Sequence, residues 1–158
     1  MHHVAQLPDG RWVKIRELTS QMQASAYEAA STTAPNGALV PPNPITLDTE
    51  CFKLAIVGVT RPLSRWRTDG DGRPVQAMRD GKPVTKADGS FVYVRASIED
   101  VPADAWRPLS YSELNTAYDT LFSPKDRVVI ATLYARAHNP QEEERDFFTT
   151  IRSVSESG

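Results

Sequence analysis

A single cysteine, Cys51, in a chain of 158 residues leaves no internal disulfide to hold the fold. None is needed at this length, because one domain of this size buries roughly 70% of the surface its unfolded chain exposes. The longest strongly apolar run, LAIVGV from Leu54 to Val59, falls far short of the ~20 residues of a membrane-spanning helix. No membrane insertion is expected. Met1 to Asp9 lacks the basic start and apolar core of a secretory signal, so a reducing, cytosolic place of folding is the expectation. Net charge is only −2, too small to argue a nucleic-acid partner from the whole chain. Nucleotide cradles and hydrolase elbows have no foothold, since no G-x-x-x-x-G-K-[ST], G-x-G-x-x-G or G-x-S-x-G occurs.

What is present reads as one α+β domain over 1–158: an N-terminal β-hairpin, a mostly helical body ending in a three-helix unit, and a small inserted antiparallel β-meander. VAQLPDGRWVKIREL alternates apolar residues around Asp9-Gly10, which predicts strands at about 3–7 and 11–16 joined by a two-residue turn. Thr19 or Ser20 can cap a short helix over QMQASAYEAAS. Residues 31–47, with prolines at 35, 41, 42 and 44, predict an extended connector. Asp48 or Thr49 can then cap ECFKLAIVGV, apolar nearly all round, as a buried helix.

From 68 to 97, Asp-Gly pairs separate RPVQAMR, KPVTKA and SFVYVRAS, the pattern of a three-stranded meander with tight turns. Pro74 and Pro83 suit its edges, where a missing N–H is tolerated. Residues 110–155 predict three packed helices. Ser110 and Glu113 stand in capping-box register, Ser123 and Pro124 open a densely apolar helix, and Asn139, Pro140 and Glu142 repeat the design.

Each chemical reading of these segments has a plainer competitor. A DNA-reading helix-turn-helix would carry basic or amide side chains at the start of its second helix, where this chain has Glu142, Glu143 and Glu144. Acids there oppose the partial positive charge of a helix start. His138 follows the apolar helix and reads as a C-terminal cap, because a metal site would need a second nearby histidine or cysteine. A Cys51–His138 pair would be a tertiary accident, and a cysteine in an apolar segment is inert. Asp69, Asp71 and Asp80 imitate a calcium loop, but Arg73 takes a ligand position and Pro74 the place of the required glycine. No metal and no cofactor is implied.

Surface residues remain. From Arg61 to Arg95 there are eight Arg or Lys against four Asp, and Phe91 and Tyr93 lie among them, which keeps a nucleic-acid-binding module as a minor reading. SRWRTD and DAWRPL set tryptophan beside arginine at the two ends of the meander. Trp and Arg dominate interface hot spots, so Arg65, Trp66, Arg67, Trp106 and Arg107 are the candidate partner-binding residues. Alternatively, Trp66 and Trp106 pack on each other as the neck of the insertion.

The order of a hairpin ending VKIREL, a short helix, a long connector and the run LSYSELNTAYDTLFSPKDRVVIATLYARAHNPQEEERDFF resembles small tail or baseplate assembly chaperones of tailed bacteriophages. The likeness covers the first twenty and last fifty residues. The meander departs from it and would suit a structural protein of the particle. The resemblance implies a non-catalytic protein, without cofactor, that holds a phage tail or baseplate component soluble in the host cytoplasm until assembly. The alternatives are a structural component of the virion and a small metal-dependent hydrolase using dispersed carboxylates.

Overall fold

The computed structural model describes residues 2–139. A four-stranded antiparallel sheet in the order β1-β2-β5-β8 organises the body: β1 (His2–Gln6), β2 (Trp12–Arg16), β5 (Ile56–Thr60) and β8 (Trp106–Pro108). Alternation in β2 explains the layering. Val13 and Ile15 are fully buried on the helical side, while Trp12, Lys14 and Arg16 point to the other face. Lys14 pairs with Gly58 and Ile15 with Ile56, which leaves Val57 as a bulge residue and returns Ile56 and Val59 to the core side.

α4 (Pro124–His138) lies against β1 and β2, and α2 (Pro44–Ala55) packs beside β5, α4, α3 (Tyr111–Leu121) and α1 (Ser20–Ala30). Phe122, Ile15, Leu114, Ile130 and Val13 are the largest fully buried side chains. The caps are those the sequence announces: Thr19 for α1, Ser110 for α3, and Ser123 with Asp126 as a capping box for α4. The third helix expected after Asn139 lies outside the described residues.

Several expectations need correction. Helix α2 begins earlier than Asp48 or Thr49: Asn43 caps it by accepting from Ile45 N–H at 2.8 Å, and Pro44 takes the first helical position. It also ends earlier, at Ala55, where Ile56, Val57, Gly58, Val59 and Thr60 become strand β5. β-branched residues and glycine resist helix, and β2 and β8 offer that segment its hydrogen bonds. The connector is not simply extended either, since β3 (Thr32–Thr33) and β4 (Leu39–Val40) pair as a small hairpin.

The first hairpin turn spans three residues, not two. Gly10 N–H reaches Leu7 O at 3.0 Å, Leu7 N–H reaches Arg11 O at 2.7 Å, and Gly10 has φ 95°, a type I turn closed by a glycine bulge. The same hydrogen-bond pair recurs at Ala34–Ala38, Asp69–Arg73 and Lys86–Ser90, each with its glycine at positive φ. Among the described residues only Asp80-Gly81, both at positive φ, is the two-residue type.

The insertion has the expected antiparallel pairing of consecutive segments, and it also closes on itself. Segments 65–68, 73–79, 82–86 and 90–96 close on one another in three-sided rings. Near the base, Arg67 N–H donates to Val94 O, Val94 N–H to Val75 O and Val75 N–H to Arg67 O, at 2.8, 2.9 and 2.8 Å. Nearer the tip, Ala77, Val92 and Val84 repeat the cycle at 2.8, 3.0 and 2.8 Å. A flat sheet of this length would leave two unpaired edges, and a closed ring leaves none at either level. The small side chains of Val75, Ala77, Val84, Val92 and Val94 are half-buried, and no residue from 61 to 104 is fully buried. Backbone pairing, not a core, shapes this arm.

Candidate docking surface

The arm is fastened to the first hairpin. Leu63 N–H donates to Gly10 O at 2.9 Å, and the Gln6 amide donates to the carbonyls of Gly10, Leu63 and Ser64. A Cβ on Gly10 would stand 2.4 Å from Leu63 O, so glycine is required there both for φ and for the close approach. Beneath this junction, Trp12, Leu63, Trp66, Ala96, Asp100 and Val101 help line a cavity of about 250 Å³.

Trp66 and Trp106 do not pack on each other. Trp66 lies against Tyr93, centroids 6.0 Å apart, under the Arg95 guanidinium at 5.5 Å. Trp106 lies on the sheet face away from the helices, beneath the Lys14 ammonium at 4.1 Å and beside Gly58. Arg65 is exposed; its carbonyl accepts the Ala96 N–H at 2.9 Å, which closes the arm's base. Arg67 pairs with Asp100 at 3.1 Å, and Arg107 with Glu113 at 2.8 Å. The Ser97 N–H, joined by Arg67, holds the Asp100 carboxyl below its ordinary range.

Cross-strand pairs set Trp66 beside Arg95, Gln76 beside Tyr93, Met78 beside Pro83 and Thr85 beside Phe91. Paired residues share a face, so these side chains form the outside of the prism. Met78 and Phe91 are exposed at 57% and 43%, well above what residues of their size show in a settled core.

A second hollow opens on the sheet face at Trp106. One part, about 660 Å³, is lined by His2, Val4, Lys14, Ile98, Val101 and Trp106 among others. The other, about 290 Å³, shares His2, Lys14 and Trp106 and adds Arg107 and Pro108. Sequence reasoning missed Lys14, although the W-V-K-I-R alternation already sets Trp12, Lys14 and Arg16 on one face.

The residues weighed for catalysis are occupied otherwise. His138 Nε2 lies 2.8 Å from the Leu18 backbone N–H, which can only donate, so Nε2 accepts and the ring proton sits on Nδ1 facing Tyr134 O at 2.9 Å. The expected charged helix cap is instead a neutral tie between α4 and the end of β2, with no nitrogen left to serve Cys51 as a base. The Cys51 thiol is pushed up by burial, against a hydrogen bond with Tyr134. Asp69 Oδ1 accepts from the N–H groups of Asp71 and Arg73 and so braces a turn. Among the described residues no three His, Cys, Asp or Glu side chains are grouped to hold a metal, and no helix is long and apolar enough to cross a membrane.

Comparison with known proteins leaves the geometry to speak for itself: no protein-family model, no curated protein and no solved structure matches the chain.

Proposed function

We propose that this chain is a non-catalytic docking protein whose arm and arm base engage another protein. The observation that carries this reading is the arm itself. It is a closed backbone prism with no buried residue, braced at one end by Gly10 and Gln6, and it displays Met78 and Phe91 to solvent. Exposed apolar side chains on a rigid support favour association, and aromatic residues next to arginine are the groups from which interface hot spots are built. Trp66, Tyr93 and Arg95 supply that combination at the base.

The narrower form of the proposal follows the sequence resemblance: an assembly chaperone for a tail or baseplate component of a tailed bacteriophage, acting in the host cytoplasm. Tagged protein expressed in its native source is expected to retain one structural protein at fixed stoichiometry. Met78→Asp and Phe91→Asp should release it without unfolding the chain. Retention unchanged by both substitutions, or no bound protein at all, contradicts the proposal. Finding the chain at fixed copy number in purified particles would make it a structural component instead of a chaperone.

A further inference from the structure

We propose that the hollow beside Trp106 receives an acidic segment of the protein partner, with an apolar side chain of that segment against Val4, Ile98 and Val101 and a carboxylate at Lys14. This rests on the docking reading and gives the partner its chemistry. The fixed charges lining the hollow are Lys14 and Arg107, and no Asp or Glu lines either part of it. The acids nearest Ile98 in sequence, Glu99 and Asp100, are hydrogen-bonded to Ser97, and Asp100 is also paired with Arg67. Arg107 already has a carboxylate, Glu113. Lys14 has none among the described residues. Its ammonium rests on the face of Trp106 at 4.1 Å, an attraction that orients the cation without neutralising it.

The walls supply the second half of the recognition. Val4, Ile98, Val101 and Pro108 line the hollow around the indole. The hollow is broad and open, so a free small anion would keep most of its water and gain little. An extended segment covers the same area while placing carboxylates at the rim and a ring or branched chain at the centre, the arrangement of an apolar anchor within a polar rim. Binding of this kind is steered and salt-sensitive.

The test uses the full-length protein and fluorescein-labelled EDEFEDE peptide, followed by anisotropy, with EDEAEDE, phenylacetate and a short oligothymidylate as comparisons. EDEFEDE should bind, lose about tenfold in affinity when Lys14→Glu reverses the charge, and weaken steeply with added salt. Lys14→Gln, which keeps the stem, should show a smaller loss in the same direction, and circular dichroism should show both variants folded. EDEAEDE should bind several-fold more weakly. Equal binding of EDEFEDE to wild type and Lys14→Glu overturns the proposal, and so does phenylacetate or oligothymidylate binding as tightly as the peptide. A gain of about tenfold on replacing Glu142, Glu143 and Glu144 by lysine assigns the hollow to the chain's own acidic run, which also overturns it. A protein that ignores the peptide yet still holds its native partner through Met78 and Phe91 keeps the docking reading and loses this one.

Discussion

Excising the arm should leave the body folded. Replacing Trp66–Arg95 with two glycines joins Arg65 to Ala96, whose backbones are already hydrogen-bonded at 2.9 Å, a separation that a two-residue turn spans. Every fully buried apolar residue lies outside the excised stretch. The losses are the exposed Arg67–Asp100 pair, which solvent screens, and the half-buried Trp66 ring, about 1 kcal/mol at half the value of a fully buried aromatic. That loss is small beside Ile130→Ala, which opens the centre of the core and should remove about 2–5 kcal/mol. Urea unfolding followed by far-ultraviolet circular dichroism compares the two variants directly. An excised protein that fails to fold, or that loses more than Ile130→Ala does, would show that the arm belongs to the cooperative core, and the docking reading would lose its physical basis.

Other outcomes follow from single contacts. Asp126 is buried at 3% exposure, accepts from Ser123 N–H at 2.9 Å and pairs with Arg11 at 3.1 Å. Asp126→Ala should therefore cost about 3–5 kcal/mol, and an exposed-pair value in urea unfolding would refute that. His138→Ala strands the Leu18 N–H and should cost about 1–3 kcal/mol, with faster hydrogen exchange at Leu18 as its local signature. The Tyr118 hydroxyl is enclosed without a hydrogen-bond partner, and burial pushes its pKa up to about 12. The unfolded chain then loses that proton first, so stability should hold below pH ~10 and fall as pH rises from there through about 12. Tyr118→Phe should be neutral or stabilising at pH 7 and should flatten that alkaline fall, and a loss of stability at pH 7 would reveal a partner for the hydroxyl.

The starts of α1, α3 and α4 were legible from sequence because their signals are local, whereas the equally local Asn43-Pro44 start of α2 was passed over for Asp48 or Thr49. Ser110, Ser123 and Pro124 act within one turn of themselves, and each stands where the spacing set it. The α2–β5 border was not legible, since whether ILE-VAL-GLY-VAL continues a helix depends on β2 and β8, distant in sequence, accepting it as a strand. The Asp-Gly pairs announced turns, and the difference between an open meander and a closed prism lay in long-range pairs such as Gln76 with Tyr93. His138 illustrates the same limit: its place at the end of a helix was readable, but the Leu18 N–H that fixes its neutral form comes from 120 residues away. Trp66 and Trp106 were singled out by type, and only the structure separates them, one at the arm's neck and the other under the Lys14 ammonium.

The most direct measurement is photocrosslinking in the native source with p-benzoylphenylalanine in place of Phe91, and in parallel at the surface position Val128, which is 66% exposed on α4. One dominant protein adduct is expected from the arm position and none of comparable yield from Val128. Equal, diffuse labelling from both positions would contradict the docking reading.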